Sequence, residues 1–194
     1  MMSFRVVNIL DMVDTVGEDA LSAVLSEFTC KMNLGIETFV RKNAIDFAKK
    51  KTAITYLVYG ENGKIAAIFT LTHKAVKVSS EVLSNTNRKK LKRYAGFDSD
   101  KKSFTVSAFL IAQFGKNESF TYYHSLSGNK LMDFTFDVLG SVQHAIGGGF
   151  VYLECEEKKK LLDFYSARPN NFHIFGERHG KDDSTNYIQL FRFI

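Results

Sequence analysis

The sequence predicts an α+β fold: a mixed, mostly antiparallel twisted sheet with helices on both faces. Three observations carry that expectation. An Asn-Gly pair joins two β-rich runs in AITYLVYGENGKIAAIFTLTHKAVKV, the strongest short-range hairpin signal. A segment of helical periodicity, Lys130 to Ile146, separates two buried-strand patterns, SFTVSAFLIAQF and FVYLEC. Amphipathic helical patterns cluster ahead of the hairpin. Together they give a central strand–helix–strand unit, with its two strands parallel and its crossover right-handed, inside an otherwise antiparallel set.

Taken in order, Phe4 to Leu10 predicts a strand. Glu18 to Phe28 predicts a helix through Leu21, Val24, Leu25 and Phe28. A second helix is expected from Ile36 to Lys50, with Ile36, Phe39, Val40 and Phe47 on one face and the lysines at 49–51 as its basic last turn. The hairpin follows, then a charged stretch from Ser79 to Ala95 with RKKLKR (Arg88 to Arg93) at its centre. The strand from Ser103 to Phe114 leads to the helix at Lys130, which Gly147, Gly148 and Gly149 should stop. The strand Phe150 to Cys155, a short helix from Lys159 to Ser166, and strands near 172–177 and 187–193 complete the pattern.

Composition narrows the class. A chain of 194 residues, 45% hydrophobic, is large enough for one core, and one proline (Pro169) with no Ser/Gly-rich linker predicts a single domain over residues 1–194. No apolar run reaches membrane-spanning length, and MMSFRVVNILDMVD lacks the basic start and small-residue cleavage site of a secretory signal. Two distant cysteines, Cys30 and Cys155, read as reduced thiols, so a soluble cytoplasmic protein without a membrane partner is expected. The five histidines show no ligand spacing, so no metal site is expected, and no serine sits in a G-x-S-x-G context. The formal charge of +5 suits anionic partners or plain solubility.

The ordered pieces TYLVYGENGKIAAIFTL, FLIAQFGKN, SGNKLM and GGGFVYLECEEKKKLLDFY, over about residues 30 to 194, resemble the GNAT superfamily of acyl-CoA-dependent N-acetyltransferases. More narrowly, they resemble the bacterial GNAT-domain proteins that include acetyltransferase toxins of toxin–antitoxin pairs. The resemblance implies a GNAT fold, acetyl-CoA as acyl donor and direct transfer of its acetyl group to a primary amine. Aminoacyl-tRNA is one acceptor it admits, with RKKLKR against the RNA phosphates; an antitoxin protein and a homodimer are partners it admits.

The resemblance also assigns residues. Backbone groups of Phe109, Leu110 and Ile111 would pair with the pantetheine arm. Gln113, Gly115, Lys116, Asn117, Ser127, Gly128, Asn129 and Lys130 would surround the pyrophosphate, since amides at a helix N-terminus point at an anion. The family's glycine signature is incomplete, because Leu126 stands in place of a glycine and a long insert separates Gly115 from Ser127. Tyr165 matches the position of the general acid that protonates the departing thiolate. Glu154 is a further candidate for base or water-holding residue, on the strand face opposite Leu153 and Cys155. Read without the resemblance, Ser127 and Gly128 are ordinary cap residues and Tyr165 a core aromatic. A basic nucleic-acid-binding module and a catalytically inactive GNAT fold are the alternative functions.

Overall fold

Asparagine side chains set the boundaries of the first elements. In the computed structural model, which describes residues 2–180 and 185–194, strand β1 (Phe4–Asn8) stops short of its apolar run. The Asn8 side chain accepts from the Leu10 amide at 2.9 Å and caps helix α1 (Ile9–Val16). Helix α2 (Glu18–Ser26) begins after Gly17, whose φ of +82° suits glycine.

The helix expected from Ile36 to Lys50 is two helices, α3 (Leu34–Lys42) and α4 (Ala44–Lys49). Asn43 leaves helical geometry at φ −121°, while its N–H still donates to the Phe39 carbonyl at 2.8 Å. Ala44 and Ala48 join Val40 in the core, and Phe47 is left 40% exposed against the ring of Phe39. The Asn43 side chain makes no capping hydrogen bond, so the break lies in the backbone of a residue with modest helix propensity, which apolar spacing does not register.

Strands β2 (Ile54–Gly60) and β3 (Ile65–Ser79) form the expected hairpin, with Gly63 at φ +71° and the Gly60 amide donating to Lys64 O at 3.0 Å. Helix α5 (Asn85–Leu91) carries the centre of the basic run. A short strand, β4 (Ala95–Asp98), has no counterpart in the sequence pattern, being four residues long with a glycine among them. It pairs antiparallel with the start of β5 (Ser103–Lys116). Helix α6 (Gly128–Ile146) begins two residues before the expected Lys130, and Gly147 and Gly148, at φ +75° and +100°, stop it as the triple glycine predicts. Strand β6 (Phe150–Glu156), helix α7 (Lys159–Ser166) and strands β7 (His173–His179) and β8 (Asn186–Phe193) follow.

The strands hydrogen-bond in the order β1-β2-β3-β5-β6-β8-β7, with β4 off this path on β5. Ladders β1·β2, β2·β3, β4·β5, β6·β8 and β7·β8 are antiparallel, and β5·β6 is parallel. This is the expected mixed α+β sheet. Among the described residues, no helix is long and apolar enough to cross a membrane.

The chain forms two compact units, Met1–Thr72 with Ala112–Thr135 and His73–Ile111 with Phe136–Ile194. In the first, Ile9, Leu21, Leu25, Phe28 and Val40 pack with Leu57 and Ile68 of the hairpin. The second has an aromatic core of Phe104, Phe150, Tyr152, Phe175 and Phe191, in which Phe150 and Phe191 stack at 5.1 Å. Full burial of each such ring contributes about 1.5–3 kcal/mol, which fixes the strands that carry the candidate residues.

Candidate active site

The candidate residues fall into two sets, one in each unit. In the second unit, the parallel ladder of β5 and β6 pairs Phe109 with Val151, Leu110 with Tyr152 and Ile111 with Leu153, and the register ends there. Strand β6 runs on through Glu154 to Glu156. Phe109 and Ile111 are buried and Leu110 is half-buried, so their side chains fill the core, and all three lie within the β5·β6 ladder rather than beyond its end.

Alternation sends Cys155 and Glu154 to opposite faces of β6. On the first face stands Tyr165 of α7, 7% exposed, with the Phe164 ring at 5.0 Å and the Phe172 ring at 6.0 Å. Burial pushes its phenol well above the usual tyrosine range, and the neighbouring Cys155 thiol adds to the effect. Cys155 is itself pushed up to about 11, by burial first and Glu156 second. Burial keeps the phenol protonated and also makes it a weaker acid, so its candidacy as a proton donor rests on its position beside β6.

On the other face, Glu154 accepts from Arg178 Nε at 2.6 Å through one oxygen and from Gln189 Nε2 at 2.8 Å through the other. Both carboxylate oxygens are engaged, so the structure gives Glu154 a bridging job across β6, β8 and β7. Arg178 and Gln189 escaped sequence reasoning because the strand pairings that bring them to Glu154 set residues 24 and 35 positions apart side by side.

In the first unit, β5 continues from Ala112 to Lys116, with Gln113 half-buried. A Cβ on Gly115 would stand 3.2 Å from Ile36 Cγ2, so this glycine answers a packing demand of α3. The Asn117 side chain is spent in the fold: its Oδ1 accepts from Thr29 N at 2.9 Å and Ser119 N at 3.1 Å, and its Nδ2 donates to Ile65 O at 2.8 Å. Lys116 rests on the Tyr123 ring, 3.7 Å from its centroid, and burial lowers its pKa.

The insert is anchored. Phe120 and Leu126 are buried, and a short 3-10 turn spans Tyr123–Ser125. Ser127 precedes α6 as its cap: its Oγ accepts from the Lys130 amide at 3.1 Å, and its carbonyl accepts from Leu131 N. Gly128 and Asn129 therefore lie in the first turn of the helix. The Lys130 ammonium sits over the Phe134 ring at 4.9 Å. Among the described residues, no group of three or more His, Cys, Asp or Glu side chains is placed to hold a metal.

The chain's charge is concentrated in one stretch. Residues 73–111 hold nine lysines and arginines against three acidic residues, an excess of six in a chain whose whole excess is +5. Within α5, Leu91 is buried and Arg88 Nε donates to Leu83 O at 3.0 Å, so Lys89, Lys90, Lys92 and Arg93 are the exposed members of the basic run.

The helix and strand order, the parallel β5·β6 pair and the strand–helix–strand unit define a GNAT fold. Among solved structures, the chain is similar to the toxin AtaT complexed with acetyl-methionyl-tRNAfMet, with a TM-score of 0.66 and 14% identity over 98% of this chain and 95% of that one. A tyrosine-to-phenylalanine mutant of KacT matches with a TM-score of 0.65 and 16% identity over 98% and 94%. A structure of AtaTR bound with AcCoA matches at 0.59 and 14% over 98% and 92%. No protein-family model matches the sequence, and no curated protein matches it.

Proposed function

We propose that the chain is an N-acetyltransferase that moves the acetyl group of acetyl-CoA directly to a primary amine. The observation that carries this reading is the placement of Tyr165: a buried phenol beside Cys155, just past the point where the β5·β6 ladder ends. The GNAT fold and the similarity to an acetyl-CoA-bound structure support it.

In this reading the pantetheine arm lies along β5 where its ladder with β6 ends, next to Phe109, Leu110 and Ile111, which are themselves paired with β6. Gln113 and Gly115 follow on the same strand, and the first turn of α6, at Ser127, Gly128, Asn129 and Lys130, receives the pyrophosphate. Transfer forms a nitrogen–carbon bond and breaks the thioester carbon–sulfur bond. Tyr165 gives its proton to the departing thiolate and regains one as the ammonium of the attacked amine is neutralised. Cys155, buried and with a raised pKa, is a poor nucleophile, which favours direct transfer over an acyl-enzyme.

The acceptor we propose is the amino group of an aminoacyl-tRNA. The similar AtaT structure holds acetyl-methionyl-tRNAfMet, and the charge excess in residues 73–111 suits an RNA backbone. An antitoxin partner and a homodimer belong to the same reading, as do a cytoplasmic setting and action of residues 1–194 as one acyltransferase domain. Calorimetry with acetyl-CoA tests it: micromolar binding is expected, and no binding at millimolar ligand would leave an inactive GNAT fold. Where binding holds, acetylation of a charged aminoacyl-tRNA mixture tests the acceptor.

A further inference from the structure

The two faces of β6 beyond Leu153 differ in a way that bears on how an acceptor arrives. The Cys155 face is closed by α7, with Tyr165 only 7% exposed under Phe164 and Phe172. The Glu154 face is polar and reachable, since the Glu154 side chain is 21% exposed and that of Arg178 is 48% exposed. The second face is the more open of the two to a hydrated amine.

On that face Arg178 is fixed from two directions. Its Nε is held by Glu154 Oε2 at 2.6 Å, and its guanidinium carbon lies 4.6 Å from the centroid of the Tyr187 ring. Glu154 is fixed in turn by Gln189, its cross-strand partner. Space for Gln189 comes from Gly176, where a Cβ would stand 2.7 Å from the Gln189 Oε1. An arginine held by its edge and its face, yet half exposed, is a pre-organised fork: it loses little rotamer entropy when a planar or tetrahedral anion binds. A surface ion pair contributes little to stability on its own.

We propose that Arg178 is an acceptor-recognition residue that binds an anionic group, carboxylate or phosphate, carried by the amine substrate, and that Glu154, Gln189 and Tyr187 are its positioning residues. The proposal rests on the acetyltransferase reading, and it moves Glu154 from proton transfer to orientation. A neutral amine would leave the exposed guanidinium donors to water and gain nothing from them.

Three primary amines with acetyl-CoA test it: 2-aminoethyl phosphate, β-alanine and ethanolamine. The wild-type kcat/KM should favour one or both anionic amines over ethanolamine, and Arg178→Gln should cut that preference tenfold or more, chiefly through KM. Preference for the phosphate alone, or for the carboxylate alone, identifies the source of the anion. A second readout does not need turnover: the Arg178 Nε–H resonance should shift on adding the N-acetyl derivatives of the anionic amines, and not with N-acetylethanolamine. Glu154→Gln should weaken that response several-fold, with circular dichroism confirming that each variant folds. Equal response to charged and neutral ligands, or a preference that survives in Arg178→Gln, overturns the proposal. Failure to bind acetyl-CoA would instead remove the acetyltransferase reading, and the resonance titration would still decide whether Arg178 takes anions.

Discussion

The ammonium of Lys116 stands 3.7 Å from the centroid of the Tyr123 ring, at the point where β5 gives way to the insert. Burial depresses its pKa, as it should for a cation held against an aromatic face away from full hydration. The lysine is thus committed to holding the insert. Lys116→Met is expected to cost about 1 kcal/mol of stability, while the Kd for acetyl-CoA stays within about twofold, because a methionine still packs on the ring. Denaturant melts and calorimetry on the same variant check both. A tenfold loss of affinity with unchanged stability would show that Lys116 leaves Tyr123 for the phosphates.

Tyr165→Phe separates chemistry from binding. The ring contacts with Phe164 and Phe172 survive the change, so the Kd for acetyl-CoA should move little. Turnover should fall by about 10²–10⁴, the usual contribution of a positioned acid. Equal turnover in the two proteins would remove Tyr165 from the mechanism and leave it a core aromatic.

The Cys155 thiol gives a pH dependence of defined sign. Its folded pKa is raised to about 11 from an ordinary 9.0, so as pH rises past 9 the unfolded chain loses this proton first. Stability from this group is therefore complete below pH 9 and is lost progressively up to about 11, a change on the order of 2 kcal/mol. Tyr165, also raised by burial, acts in the same direction above its ordinary value of 10. Urea melts between pH 8 and 11 should show the decline, and Cys155→Ala should flatten its first part. A slope identical in the variant would locate the alkaline loss elsewhere.

Much of the scaffold was legible because its signals are local. Asn62-Gly63 marks a turn by backbone conformation alone, and Gly147 with Gly148 stops α6 at positive φ whatever packs nearby. Asn43 and β4 were not legible, since one is a backbone departure at a single residue inside an apolar pattern that continues across it and the other depends on a partner strand that supplies the ladder. The same division runs through the candidate residues. Tyr165 lies in α7 four residues after Leu161, on the same helix face, and it is buried as that spacing suggests. The Glu154–Arg178–Gln189 cluster depends on three strands in register, and Asn117 and Gly115 are occupied by Thr29, Ile65 and Ile36, which lie far away in sequence.

Gly60 decides where the insert rests. A Cβ there would stand 2.6 Å from Phe120 Cζ, and Phe120 is 3% exposed, so the ring must move. Gly60→Ala is expected to destabilise the protein by about 1–3 kcal/mol, the usual cost of overpacking, and to speed proteolysis between residues 118 and 126. Thermal melts and limited proteolysis provide the test. Pairing Gly60→Ala with Phe120→Leu should recover part of the loss, since the shorter side chain vacates the contested space; no recovery would mean that the glycine serves the turn at Glu61–Lys64 instead.

The basic stretch can be divided by the job each charge already has. Arg88 is tied to the Leu83 carbonyl, and Lys90 lies 5.5 Å from the Phe193 ring centroid, so neutralising either disturbs the fold as well as any ligand. Lys89, Lys92 and Arg93 are exposed, on a helix end fixed by buried Leu91. A triple change of these three to glutamine should leave the melting temperature within a few degrees. If each meets a phosphate, binding to tRNA should weaken, and the slope of log K against log salt should become shallower by about 2–3, since each lost phosphate contact removes about 0.7–0.9. Affinity measured from 50 to 200 mM salt gives that slope directly. A triple variant with the wild-type slope would assign the excess charge of residues 73–111 to solubility, because a charge that releases no counterion on binding is not touching the nucleic acid.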